Sequence, residues 1–300
     1  MIKKNKFLFS SMIIVTIIIT ILLTKSNCGT EKETKEEIKM KGIMIFTNGT
    51  GTICRLDLQT KRVDTVFHTE DFFNEISRIS EDEFIIDGAL GLVNFNYRSR
   101  SIQSTRSGSR QVYVKEHKKL FFYDNIKGSK QYYLYMASID SLDNAVLIAK
   151  ASERPKEFVS PVQISSDEIV FIGEDYKLRM YDLSNGALTL TGIDGKYNPV
   201  EWISNRKVLL CNVSGGGMEN IYEINLETKE IKNTTSNYSN EVYLNYIDKY
   251  DAAVYCSMKY GLFGELSGRS FDLYIYFYKD NRNVKFTSDV RMYSAVYIDE

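Results

Sequence analysis

The sequence predicts an all-β fold assembled from six four-stranded repeats, and three observations carry that expectation. Short stretches of apolar–polar alternation recur in pairs broken by polar turns, with no 3.6-residue period between them. The pairs return about every 40–45 residues. The first and last units are incomplete in complementary ways: KGIMIFTNG (41–49) reads as a second strand with no partner before it, and YSAVYIDE (293–300) as a first strand with no partner after it.

In chain order, the repeats are preceded by a different kind of segment. Residues 1–6 carry Lys3, Lys4 and Lys6 and are followed by the uncharged run FLFSSMIIVTIIITILL (7–23). That pattern predicts a membrane anchor or signal segment over 7–24, with the basic end cytoplasmic and everything after it outside the cytoplasm. No small-x-small cleavage site follows, which favours an uncleaved helix. Cys28 is the candidate lipidation site of a lipoprotein, although Lys25, Ser26 and Asn27 match the bacterial lipoprotein pattern only at Ser26. Residues 25–40, with alternating charge in TEKETKEEIKM, read as a solvated linker.

Each repeat then contains two hairpins. The first is strand, polar turn, strand: EISRISEDEFIID (75–87), QVYVKEHKKLFFYD (111–124), PVQISSDEIVFI (161–172), PVEWISNRKVLL (199–210) and VYLNYIDKYDAAVYC (242–256). The second turns at Asp57, Asn96, Asp182 or Asn225, each followed six residues later by an apolar residue; Asp140 fits more loosely and Tyr278 only by analogy. The interval before Tyr278 is widened by KYGLFGELSGRS (259–270), which reads as an inserted loop. Four short strands per period of this length mark a β-propeller blade, so residues 41–300 are expected to form a six-bladed β-propeller. Pairing of the C-terminal strand into the first blade would remove the edges that an open array exposes.

The repeat in PVEWISNRKVLLCNVSGGGMENIYEINLETKEIKNTT (199–235) resembles that of the TolB-like six-bladed propellers at Pro199, Trp202, Val208, Leu210, Ile221, Tyr222, Asn225, Thr228 and Thr234. The S-P-D-G turn of that family is replaced by ISNR and ISSD here, and the other copies keep only the strand pattern. The resemblance implies the propeller architecture, and a counterpart of TolB's separate N-terminal domain is not expected.

The apolar fraction of 43% and aromatic fraction of 13% support a packed core, and a net charge of −1 gives no pull toward nucleic acid. Cys54, Cys211 and Cys256 sit in apolar strand-like runs and are expected to be buried thiols, with a Cys211–Cys256 bridge as the alternative. There is no CxxC and no paired-histidine motif, and SGGGM (214–218) lacks the Lys-Ser/Thr of a phosphate loop. GELSG (264–268) lacks the spacing of a nucleophile elbow. His68 and His117 read as exposed loop residues, and Glu201, Asp167 and Asp87 as the carboxylates that could converge on a channel. No catalytic, cofactor or metal site is therefore predicted.

Two surfaces stand out. Arg98, Arg100, Arg106, Arg110, Lys115, Lys118 and Lys119 stand against Glu116 alone and could form a patch for an anionic partner, with Arg98 and Arg100 on one strand face. Tyr274, Tyr276 and Tyr278 share one strand face and could form an aromatic surface, or else pack against a neighbouring blade. The expected function is a membrane-anchored, non-catalytic module that binds a protein or glycan of the cell envelope. A lactonase- or lyase-like enzyme at the channel mouth and a structural subunit of an envelope complex are the alternatives.

Overall fold

The computed structural model describes residues 40–89, 91–125, 131–151, 160–213, 220–234, 240–259 and 270–299. The expected anchor 7–24, the basic segment 1–6, nearly all of the linker 25–40, Cys28, SGGGM and GELSG lie outside the described residues.

Six four-stranded antiparallel sheets make up the structure. The first contains β1 (Ile43–Thr47), β2 (Thr52–Asp57) and β3 (Val63–His68). The second contains β4 (Phe73–Arg78), β5 (Glu83–Gly88), β6 (Gly91–Asn96) and β7 (Ser101–Arg106). The third runs β8 (Ser109–Val114), β9 (Lys119–Asn125), β10 (Tyr132–Ser138), β11 (Ser141–Lys150). The fourth runs β12 (Val162–Gln163), β13 (Glu168–Ile172), β14 (Lys177–Asp182), β15 (Leu188–Asp194). The fifth runs β16 (Tyr197–Ile203), β17 (Val208–Val213), β18 (Ile221–Asn225), β19 (Ile231–Asn233), and the sixth β20 (Asn240–Ile247), β21 (Ala252–Lys259), β22 (Ser270–Phe277), β23 (Arg282–Ser288). The innermost place of the first sheet is taken by β24 (Ser294–Ile298), antiparallel to β1 from Ile43↔Ile298 to Thr47↔Ser294. The innermost strands touch in cyclic order, β24, β4, β8, β12, β16, β20 and back to β24. The molecule is a six-bladed β-propeller.

The burial pattern follows from that geometry. Second strands are sandwiched between neighbouring blades and read as apolar runs, as in IMIFT of β1, with every side chain buried. Fourth strands lie on the rim: β19 is exposed throughout. The core is correspondingly divided into seams between blades. Ile43, Ile45 and Ile53 of the first pack on Phe73, Phe84 and Phe95 of the second. Leu209, Cys211 and Ile224 of the fifth pack on Val170, Ile172 and Leu178 of the fourth. Cys54, Cys211 and Cys256 are buried free thiols, and burial pushes Cys54 up to about 11 and Cys256 to about 12. The Cys211–Cys256 bridge does not form, because the two residues belong to different blades, on β17 and β21.

The outer turns share one chemistry. Asp57 Oδ1 accepts the backbone N–H groups of Gln59 and Thr60 at 3.0 and 2.8 Å, and Asn96 Oδ1 that of Ser99 at 2.9 Å. Asp182 Oδ1 accepts from Ser184 at 2.8 Å, and Asn225 Oδ1 from Glu227 and Thr228 at 2.9 Å each. Four residues after each anchor the chain is left-handed, at Lys61, Arg100, Gly186 and Lys229. A short side-chain acceptor that mimics a backbone turn explains why Asp or Asn recurs there. The third blade replaces this turn by the two residues between β10 and β11, which is why Asp140 fits the pattern loosely.

Candidate functional site

The six innermost strands, with the residues just ahead of β12 and β24, line one cavity of about 390 Å³ on the propeller axis. What faces it is decided by irregularities in those strands. The pairing register shifts between Phe73 and Ile76 in β4, Ser109 and Val112 in β8, Pro199 and Glu201 in β16, and Val242 and Asn245 in β20. A bulge re-aims the side chains beside it. Glu75, Gln111, Glu201 and Asn245 sit at those four shifts, and all four line the cavity.

Several of the polar groups there stitch blade to blade. Gln111 Nε2 donates to the Glu75 and Ile85 carbonyls at 3.0 and 3.2 Å. Ser294 Oγ accepts from Ile76 N at 3.2 Å, and Asn245 Oδ1 from Ala295 N at 2.9 Å. Three acceptors lining the cavity, Gln111 Oε1, Asn212 Oδ1 and Ser160 Oγ, are buried without a hydrogen-bond partner.

The carboxylates differ in environment. Glu75 lies 3.2 Å from the Arg110 guanidinium. Arg110 also turns its backbone N–H and its Nε toward Asp87 Oδ2, at 3.2 and 3.9 Å. Asp87 is 2% exposed, and burial raises it to about 6 even though Arg110 acts in the opposite direction. Glu201 accepts only the Trp202 backbone N–H, at 3.3 Å, among the hydrogen bonds of the described residues. Burial among the inner strands raises Glu201 from an ordinary 4.5 to about 7, the Trp202 N–H opposes the rise, and the Glu75 carboxylate adds to it. Glu201 is half-buried rather than sealed.

The arrangement can bind and orient polar groups. No histidine, cysteine or lysine is among the described residues lining it, so its serines have no imidazole or amine base beside them. Among the described residues no three His, Cys, Asp or Glu side chains converge in a way that could hold a metal ion.

Of the carboxylates singled out by sequence, Glu201 lines the channel and Asp87 lies behind it on Arg110. Asp167 does neither: its Oδ1 lies 2.7 Å from His117 Nε2 in a contact between the turns of two blades. His117 is thus half-exposed but engaged, and His68 Nδ1 meets Thr52 Oγ1 at 3.0 Å. Glu75, Gln111 and Asn212 were not anticipated. Their signal would have been polar residues within the apolar runs of the inner hairpins, which alternation alone assigns to solvent.

The seven basic residues do not gather in one place. Arg98 and Arg100 lie in the turn between β6 and β7, not on a strand face, and Arg98 pairs with Asp82 at 2.8 Å. Arg106 ends β7 and Arg110 lies in β8 just after it, about 20 Å away at a strand's rise of about 3.3 Å per residue. Arg106 stacks over Phe122 at 4.5 Å and pairs with Asp124 at 3.4 Å, while Arg110 serves the carboxylates above. Lys115, Lys118 and Lys119 fall in and beside the turn between β8 and β9. One period of chain visits both ends of a blade, which sets Arg106 and Arg110 apart from the turn residues, while Lys115 shares a surface pocket with Tyr97 and with Asp82, the partner of Arg98.

The tyrosine face is likewise internal. Tyr276 and Tyr278 are 7% and 8% exposed and pack with Ile203 and Leu210 of the fifth blade, and Tyr274 packs against the same cluster. Tyr278 lies under the Arg206 guanidinium at 4.6 Å. A third strand is covered by the next blade on that side, so the aromatic stripe serves packing.

No family model matches the chain, and no curated protein matches it in sequence. Solved structures match it in fold. A protein described as TolB from Agrobacterium tumefaciens superposes with a TM-score of 0.60 at 12% identity, over 86% of this chain and 98% of that one. TolB from Acinetobacter baumannii gives 0.60 at 10% identity, over 85% of this chain and 64% of that one. A chain of a nidogen/laminin complex gives 0.59 at 11% identity, over 84% and 97%. What the chain shares with these structures is the fold.

Proposed function

We propose that this protein is a non-catalytic binding propeller that takes a protein or glycan of the cell envelope at its channel, with the ring held outside the cytoplasm by residues 7–24. The observation that carries the reading is the channel itself: all six blades contribute to one polar cavity with unsatisfied acceptors and an unpaired carboxylate. Pre-formed cavities of this size with a few placed polar groups are the usual form of a binding site. The lysines ahead of the apolar run 7–23 support the anchored placement.

The reading is tested with full-length protein in detergent, incubated with envelope extract beside the channel variants Glu201→Gln and Gln111→Ala. Capture of the same component by wild type, reduced at least about tenfold in both variants, is expected for a channel ligand. Equal capture by all three proteins would refute it. A second reading, a lyase- or lactonase-like catalyst, draws on Glu201, whose elevation to about 7 suits a general acid or base at neutral pH. Turnover of an envelope glycan or lactone that disappears in Glu201→Gln would select it.

A further inference from the structure

We propose that the channel cavity is the seat for one primary alkylammonium group, the lysine side chain of a partner polypeptide, with Glu201 as its counter-ion. The assignment rests on the reading that the channel is where the ligand binds, and it names the chemistry of that ligand.

Charge is the first ground. Glu75 and Glu201 line the cavity, and no Lys, Arg or His among the described residues does. Glu75 already has a guanidinium at 3.2 Å, whereas no cation among the described residues lies within ion-pair distance of Glu201. One carboxylate is therefore left for one monovalent cation.

Hydrogen-bonding polarity is the second. Gln111 is 3% exposed, and its amide orientation is set by the two bonds that Nε2 donates to carbonyls. Its Oε1 is thereby an acceptor lining the cavity with no donor to meet it, as are Asn212 Oδ1 and Ser160 Oγ. An ammonium offers three donors and no acceptor, which matches those three unmet oxygens and the two carboxylates, whereas a carboxylate ligand would be repelled by Glu75 and Glu201.

The third ground is shape. Val112, Val162, Val200 and Leu244 line the same cavity and can sheathe a four-methylene stem while the charged head stays among polar groups. Trp202 lines the same wall, and an indole face attracts a cation. An amino sugar has no such stem, so the apolar share of the lining favours lysine.

Trp202 is the only tryptophan of the chain, so its emission reports on this cavity alone. Full-length protein in detergent at pH 8 is titrated with Nα-acetyl-lysine N-methylamide, a lysine-bearing pentapeptide, cadaverine, glucosamine and the neutral Nα,Nε-diacetyl-lysine N-methylamide. The lysine compounds are expected to saturate an emission change, with the diacetylated compound at least about tenfold weaker. Binding should weaken about tenfold from pH 8 to pH 6 as Glu201 takes up a proton. The other titratable groups facing the cavity are Glu75, held by Arg110, and Tyr293. Glu201→Gln should lose at least about tenfold in affinity while keeping its β-sheet circular dichroism.

Equal binding of the diacetylated compound, or unchanged affinity in Glu201→Gln, overturns the proposal. Tighter binding of cadaverine or glucosamine than of the pentapeptide overturns the polypeptide source. If envelope capture depends on Glu201 while no ammonium compound moves the Trp202 emission, the ammonium assignment falls and the channel reading stands. If neither occurs, both fall.

Discussion

Gly186 and Arg100 hold the same left-handed place in two outer turns, at φ +72° and +54°. A Cβ built on Gly186 meets nothing closer than Tyr181 Oη at 4.0 Å, so a substitution there costs only the backbone conformation. Gly186→Ala is expected to lose about 1 kcal/mol, and Arg100→Gly to gain about 0.5 kcal/mol, in urea unfolding. Opposite signs at equivalent positions would isolate the turn from any contact. Glu201 supplies a pH dependence. Its folded-state proton is held to about 7 against an ordinary 4.5, so stability is fully present below about 4.5 and declines as pH rises through about 7. Discounted for its partial exposure, Glu201→Gln should be more stable than wild type by about 1 kcal/mol at pH 8, or 2–4 °C in Tm. At pH 4 the two melting curves should coincide.

At the level of elements, the bulged inner strands bring acidic groups of one blade against the basic group of the next. Arg110, in β8, bridges Glu75 on β4 to Asp87 on β5. Removing it as Arg110→Ala leaves a carboxylate 3% exposed without its guanidinium. The expected loss is about 3 kcal/mol, and adding Asp87→Asn should restore about 1 kcal/mol because an amide carries no charge to bury. Additive losses in the double variant would mean that the two side chains act independently. The inner hairpins themselves were legible: strand, polar turn and strand at 75–87, 111–124, 161–172, 199–210 and 242–256 all fall on observed pairs. The bulges within them were not, since an extra residue leaves apolar periodicity nearly unchanged while turning one side chain by half a pleat.

For the whole molecule, a strand near one end of the described chain lies beside one near the other. Ser294–Ile298 cover the edge of β1, whose five residues are all buried. Removing residues 293–300 would bare that edge and the seam beneath it. The expected result is a fall in Tm of about 10 °C or more, with concentration-dependent aggregation. An unchanged Tm would show that the first blade does not need its inner strand.

The sequence by itself determined the period, the number of blades and the place of the four outer turns at Asp57, Asn96, Asp182 and Asn225. Alternation, turn residues and Asx caps are local, acting within a few residues of chain. It also marked Glu201 and Asp87 as carboxylates worth following. Only the tertiary structure decided that Glu201 lines a cavity with Glu75, Gln111 and Asn212, that Arg110 bridges Glu75 and Asp87, and that Tyr276 and Tyr278 face another blade. Those facts depend on which strands become neighbours around the ring and on where each inner strand bulges. Residues tens to hundreds of positions apart then share one low-dielectric space, and no local pattern encodes that proximity.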